Sequence, residues 1–368
     1  MNYLDFEDDI KVLDQKIQEL KAPYIAKGIT VIENPIIIET EKKLNDELDK
    51  VYSNLNRWQK TKVARHDFRP RSVHYIKKIF PDFINLSGDR LYGEDQSVLA
   101  GFGNLDGVSV LIIGQEKGND TQSRIQRNFG MMRPEGYRKS MRLMNLANRL
   151  NIPIITFVDT PGAYPGKGAE ERGQAEAIAK CIECCLNVSV PMISIVIGEG
   201  GSGGAIALAT ANKVLMLEHS VYSVISPEGC ASILWRDPKK SKEAAEAMKI
   251  SAQDLLESKI IDEVIQEPKG GAHRSHDQAI ANATSVIKRN LSELLRISPE
   301  ELINQRKNRF LSIGRDVLIT KDEFYKGVHI PTAKFNPFNW KLLLQNNIKL
   351  VAVVVVVILL FILDLIFG

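Results

Sequence analysis

One stretch constrains this chain more than any other. The apolar, β-branched run Pro191-Met192-Ile193-Ser194-Ile195-Val196-Ile197 leads into Gly198-Glu199-Gly200-Gly201-Ser202-Gly203-Gly204-Ala205, and helix-forming residues follow from Ala205 to Ala211. The pattern predicts a buried strand that ends in glycines, which in turn open a helix. Glycine has no Cβ, so backbone N–H groups there can come close to a ligand. At a helix start those groups lack intrahelical partners and carry the positive end of the dipole. Such a place suits a negatively charged oxygen, either a phosphate or an oxyanion formed during reaction.

A second unit of the same kind precedes it. Strand-like Ile152 to Val158 ends at Asp159-Thr160-Pro161-Gly162-Ala163-Tyr164-Pro165-Gly166, and a helix is expected from near Ala169 to Leu186. Two successive strand–loop–helix units predict an α/β fold with a parallel sheet and a ligand site at the carboxyl ends of its strands. Upstream, runs 97–105 and 108–114 flank Asp106-Gly107, a two-residue hairpin signal. Further short strands are expected at 214–217 and 221–225, a helix at 134–150, and largely helical chain over 276–311. Helical spacing over 4–20 and 39–63 predicts an N-terminal extension, with Gly28 to Ile38 as a linker containing Pro35.

Composition narrows the function classes. A net charge of +3 over 368 residues gives no general case for nucleic-acid binding. The first residues are acidic and have neither a signal-peptide core nor an Arg-rich transit pattern. Four cysteines, three of them at 181, 184 and 185, form no secreted disulfide framework, so the expected compartment is the cytoplasm. The C-terminus departs from this picture. From Leu350 to Phe367 only Asp364 interrupts hydrocarbon, and as a helix this run extends about 27 Å, close to a bilayer's apolar thickness. Lys341 and Lys349 precede it, as expected for a transmembrane tail anchored from the cytoplasmic side.

Several chemical motifs compete for the glycines. Gly162 to Gly168 is one residue short of a phosphate-binding Walker loop and has Gly168 where a hydroxyl residue belongs. The dinucleotide spacing G-x-G-x-x-G at a first strand is absent. Gly200-Gly201-Ser202-Gly203-Gly204 does satisfy G-x-S-x-G on a strand–turn–helix, which leaves a serine hydrolase open; His219, His273 and His276, with Asp237 or Asp262, are candidate triad partners. Cys181-Ile182-Glu183-Cys184 has no second pair to complete a zinc site and reads as helix packing. Arg124, Arg127, Arg133, Arg138, Arg142 and Arg149 lie close in sequence; some fit a solvated face and others a bulky anionic substrate.

Longer motifs identify a family. Ser87-Gly88-Asp89-Arg90, Gln126 to Met131, Pro134 to Lys139, Asp159 to Gly166, Gly168 to Gln174, Gly198 to Ala205, Tyr222 to Trp235 and Gly270 to Arg274 together resemble the alpha subunits of bacterial and plastid acetyl-CoA carboxylase carboxyltransferases. The resemblance spans about Leu86 to Gly314, includes the Leu4-Asp5-Phe6-Glu7 opening, and fails beyond about residue 320. It implies a crotonase-like superhelix of ββα units over residues 71–315, after an N-terminal helical extension (1–70) and before a linker (316–340) and a C-terminal hydrophobic helix (341–368).

The resemblance also implies a reaction. Carboxybiotin, held covalently on a biotin carboxyl carrier protein and charged by biotin carboxylase, donates its carboxyl group to acetyl-CoA to give malonyl-CoA, the first committed step of fatty acid synthesis. The active site would lie between this chain and a beta subunit, which carries the zinc; no metal is expected here. The backbone N–H groups of Gly203 and Gly204 would form the oxyanion hole, facing the biotin side. Gly162, Ala163, Gly200, Gly201 and Ala205 would line the substrate cavity, and Ser202 would be a turn residue. A different crotonase-like CoA enzyme is the other reading within this fold.

Overall fold

In the computed structural model the described residues are 2–29 and 34–314. The chain divides into a unit of Met1–Gly327 and one of Val328–Gly368, and the described residues belong to the first. The expected linker at 316–340 and the apolar tail at 341–368 lie outside them. No helix among the described residues is long and apolar enough to cross a membrane.

Helices α1 (Asp8–Ile25), α2 (Pro35–Tyr52), α3 (Arg57–Ala64) and α4 (Ser72–Ile79) come first. Pro35 does not sit in a linker, as expected, but opens α2. Proline's fixed φ suits the first helical position, and the Asn34 side chain caps it by accepting from the Ile36 N–H at 2.9 Å. A reciprocal capping box between Asn56 and Gln59 starts α3, which separates the second expected helix into two. Ile10, Leu48, Tyr52, Leu55 and Val63 form a small core of their own within this region.

One sheet of eight strands comes next, ordered β1 (Ile84–Asn85), β2 (Val98–Leu105), β3 (Val108–Gln115), β4 (Ile154–Thr160), β5 (Met192–Gly201), β6 (Lys213–Leu217) and β8 (Glu263–Ile265), with β7 (Val221–Ser223) paired to β5. The hairpin between β2 and β3 turns at Asp106 (φ +50°) and Gly107 (φ +87°), as expected of Asp-Gly, and pairs Leu105 with Val108. From β3 onward the pairing is parallel. Such strands are covered on both faces, which explains their nearly unbroken apolar runs. Leu111, Ile113, Ile154, Val158, Met192 and Val196 meet one core; Val110, Ile112, Ile155, Phe157, Ile193 and Ile195 meet the other.

The first core lies beneath α6 (Pro134–Arg149), α8 (Gln174–Asn187) and α9 (Ser202–Ala209), with the short α5 (Thr121–Gln126) and α7 (Lys167–Glu171) ahead of α6 and α8 in the chain. The single helix expected from Ala169 is in fact α7 and α8, because Gly173 between them is left-handed at φ +80°. After α10 (Pro227–Leu234), α11 (Ser241–Met248) and α12 (Ala252–Glu257), α13 (His276–Leu294) covers the second core and α14 (Pro299–Ser312) packs on α8.

The glycine run is mostly strand. Strand β5 continues through Gly201, and only Ser202 opens the helix. The reason is close backbone packing by the loop after β4. A Cβ on Gly201 would overlap the Pro161 carbonyl, and one on Gly204 would stand 2.6 Å from the Gly162 carbonyl carbon and 2.8 Å from Ala163 N. A Cβ on Gly203 would meet only Ile178, at 3.5 Å, an ordinary contact. Gly204→Ala should therefore cost about 1–3 kcal/mol by overpacking, whereas Gly203→Ala should change stability by under about 1 kcal/mol. Urea or thermal midpoints of the two variants check this; equal midpoints would contradict it.

Candidate active site at the glycine helix

The amino end of α9 sits at the carboxyl ends of β4 and β5. Ser202, the first residue of the helix, has φ +52°, a left-handed conformation uncommon for a residue with a Cβ. This sharp turn swings the chain from strand into helix within one residue. No side chain caps α9, and Gly201 occupies the cap position. The leading N–H groups, those of Gly203 and Gly204 among them, thus precede the first intrahelical hydrogen bonds.

A cavity of about 500 Å³ abuts this helix end. Ser202, Gly203 and Ile206 of α9 line it, together with Tyr222, Ile250 and Phe310 among other apolar residues. The structure thus separates the glycines that the sequence grouped. Gly203 faces the cavity. Gly204 and Ala205 are buried, with Gly204 pressed against Gly162 and Ala163. Gly200 and Gly201 belong to β5, where a Cβ on Gly200 would approach the Tyr222 ring at 2.9 Å.

Neighbouring side chains fix this arrangement. Gln115 is fully buried; its Nε2 donates to the Gly204 carbonyl at 2.7 Å, and its Oε1 accepts from the Asp159 N–H at 3.2 Å. One amide thereby ties the first turn of α9 to the end of β4. The Thr160 hydroxyl donates to the Gly162 carbonyl at 2.7 Å and holds the loop that packs on Gly204.

Beside the glycines lies a partly buried cluster of charges that sequence reading did not assemble. Lys117 Nζ reaches Asp159 Oδ1 at 2.8 Å and Glu199 Oε2 at 2.6 Å. Arg65 Nε reaches Glu199 Oε1 at 2.6 Å, while its Nη1 pairs with Glu228 at 2.6 Å. Arg71 Nη1 lies 3.3 Å from Asp159 Oδ2. Burial alone would raise the Glu199 pKa, but Lys117 and Arg65 override it and hold the carboxyl at about 2. Glu199, Asp159 and Glu228 lie inside motifs the sequence singled out. The other members sit at positions 65, 71 and 117, and no local spacing unites them.

The serine-hydrolase constellation does not assemble among the described residues. His219 is buried beside Tyr52, with ring centroids 5.6 Å apart, and His273 stacks on His66 at 3.9 Å. The His276 ring nitrogen contacts the Phe68 carbonyl at 2.5 Å. None of these hydrogen-bonds to Ser202. Of the arginines grouped by sequence, Arg124 pairs with Asp67 and Arg138 with Asp89, Arg127 and Arg142 donate to backbone carbonyls, and Arg133 lies over the Tyr164 ring. Cys181 and Cys185 are buried free thiols on α8. No group of three or more His, Cys, Asp or Glu among the described residues could hold a metal ion.

Comparison with known proteins supplies the family. The family described as acetyl co-enzyme A carboxylase carboxyltransferase-like matches residues 3–314. The chain is 62% identical over 314 residues to the acetyl-coenzyme A carboxylase carboxyl transferase subunit alpha of Pelagibacter ubique (strain HTCC1062), covering 85% of each. It is 54% identical over 316 residues to the protein of the same name from Agrobacterium fabrum (strain C58), covering 86% of this chain and 99% of that one.

Two solved structures share the fold at lower identity. Transcarboxylase 12S with methylmalonyl-coenzyme A and methylmalonic acid bound aligns at a TM-score of 0.52 and 19% identity, over 63% of this chain and 42% of that one. A Pseudomonas malonate decarboxylase hetero-tetramer in complex with coenzyme A aligns at 0.53 and 16%, over 66% and 95%. The architecture is crotonase-like, as the resemblance implied. On the match over residues 3–314, this chain belongs to the acetyl-CoA carboxylase carboxyltransferase-like family.

Proposed function

We propose that this chain is the alpha subunit of an acetyl-CoA carboxylase carboxyltransferase, acting with a beta subunit to move a carboxyl group onto acetyl-CoA and form malonyl-CoA. The observation that carries this reading is the uncapped, glycine-led start of α9 facing an apolar cavity, in a chain 62% identical to a carboxyl transferase alpha subunit. The reaction needs donors fixed where negative charge develops on oxygen, and preorganised backbone N–H groups meet that need without a catalytic side chain.

The cavity suits a biotin ring: its walls are mostly apolar, as the ring's hydrocarbon faces require, and Ser202 and Gly203 at the start of α9 are among its lining residues. Biotin, attached to a separate carrier protein, supplies the activated carboxyl group when bound. In this chain the Gly203 N–H, with that of Gly204 behind it, would hold the ring oxygen. Gly200, Gly201 and Ala205 set the path of the strand and the first turn of the helix. Gly162 and Ala163 back that turn, and Ile206, Tyr222 and Phe310 exclude water. Loss of one such donor costs on the order of a hundredfold or more in rate. Ser202 serves the turn through its backbone. The carrier protein, the biotin carboxylase that charges it, and a zinc-bearing beta subunit complete the proposed assembly, working in the cytoplasm.

Malonyl-CoA formation by the purified chain with the beta subunit, supplied with acetyl-CoA and the carboxylated biotin carrier protein, tests the reading. Ser202→Ala should keep most of the wild-type rate, and Gly204→Val should abolish it because its side chain drives into Gly162. A folded, assembled but inactive Ser202→Ala would return the serine to a chemical role. The apolar run Leu350–Phe367 supports a further proposal, contact of the C-terminus with a membrane. Native protein should stay with the membrane fraction through a carbonate wash; release into the soluble fraction would remove that proposal.

A further inference from the structure

The ladder between β4 and β5 breaks beside the glycine helix. Val158 pairs with Val196, but Thr160 pairs with Gly200, so Ile197, Gly198 and Glu199 together stand opposite the single residue Asp159. A bulge of this kind bends its strand and redirects the chain beyond it, here into the turn that opens α9. The bulge also removes regular ladder partners from buried backbone groups, which must be satisfied in another way.

Charged side chains supply those partners. Asp159 Oδ1 accepts from the Glu199 N–H at 3.0 Å, and Arg69 Nε donates to the Ile197 carbonyl at 2.6 Å while its guanidinium pairs with Glu267. Gly198 is glycine because a Cβ there would stand 2.5 Å from Asp159 Oδ1. Lys117, just beyond β3, spans both carboxylates, so one ammonium pins the ends of three adjacent strands. Each of these groups is buried or nearly so.

We infer that Lys117 and Glu199 are positioning residues: their ion pair, closed on Asp159, holds the Ile197–Glu199 bulge and thereby aims the Gly203 N–H into the cavity. Neither touches the reacting atoms. They act on the angle and depth at which the helix start meets its ligand. A shift of about 1 Å in such a donor can cost on the order of a hundredfold in turnover while leaving remote binding intact. The inference rests on the carboxyltransferase reading of the same site.

The test is steady-state malonyl-CoA formation by the assembled alpha–beta enzyme carrying Lys117→Met, Glu199→Gln, or both, with the biotin carrier protein and the biotin carboxylase that charges it in excess. The paired variant removes both charges and keeps side-chain bulk, so it is the form expected to fold best. Each should lower kcat by about tenfold to a hundredfold, with the KM for acetyl-CoA within about twofold of wild type. The paired variant should lose no more than the worse single one, since both break one unit. Lys117→Arg, which restores the charge, should recover part of the loss.

Wild-type kcat in the assembled paired variant would overturn the inference. So would a loss that tracks only the folded or assembled fraction, read from thermal midpoints and co-purification, because the charges would then serve stability alone. A wild-type pair of subunits that forms no malonyl-CoA when supplied with acetyl-CoA and the carboxylated biotin carrier protein would instead defeat the carboxyltransferase reading, whatever the variants do.

Discussion

The closeness with which the loop Asp159–Ala163 lies on the glycine strand governs the rest of this site. Backbone meets backbone at Gly201 and Gly204 with no room for a single carbon between them. That contact sets where β5 ends and where α9 begins. It also places the helix start beside the cavity rather than within the sheet. A glycine run of this kind suggests a cradle for a ligand, yet most of its glycines here are occupied by the protein's own chain. Gly203 is the member left facing the cavity.

Close packing alone does not hold such a junction, because the bulge beneath it strips ladder hydrogen bonds from a buried strand. The chain answers with a group of ions. Leaving one buried charge unpaired is strongly destabilising, so the members of this group depend on one another. Arg65, Arg69 and Arg71 enter from the segment that joins α3 to α4, which ties the amino-terminal helices to the carboxyl ends of the central strands. The amino-terminal region therefore contributes to the shape of the site as well as to the surface of the molecule.

Much of the fold was legible because it arises from short-range pattern. Unbroken β-branched runs predicted β4 and β5, and Asp106-Gly107 predicted the hairpin. The misses have local causes. Pro35 reads as a linker residue unless the Asn34 cap is recognised, and Gly173 divides a continuous helical pattern through its left-handed φ. The glycine run looked like turn throughout, whereas Gly200 and Gly201 still pair with Tyr222 and Ser223 in β7. The site was legible only in part. Its glycines are contiguous in sequence, but the partners that explain them, Pro161, Gly162, Gln115 and Lys117, come from other strands and loops. No spacing within the motif could reveal them.

The central claim is that this chain contributes backbone donors rather than a reactive side chain, with Gly203 foremost. Its most direct test is an experimental structure of the alpha–beta complex with biotin bound. The account predicts the ring oxygen about 2.7–3.1 Å from the Gly203 nitrogen, with the ring against Ile206 and Tyr222. Biotin seated away from the start of α9, or the Ser202 Oγ bonded to an acyl group, would contradict it.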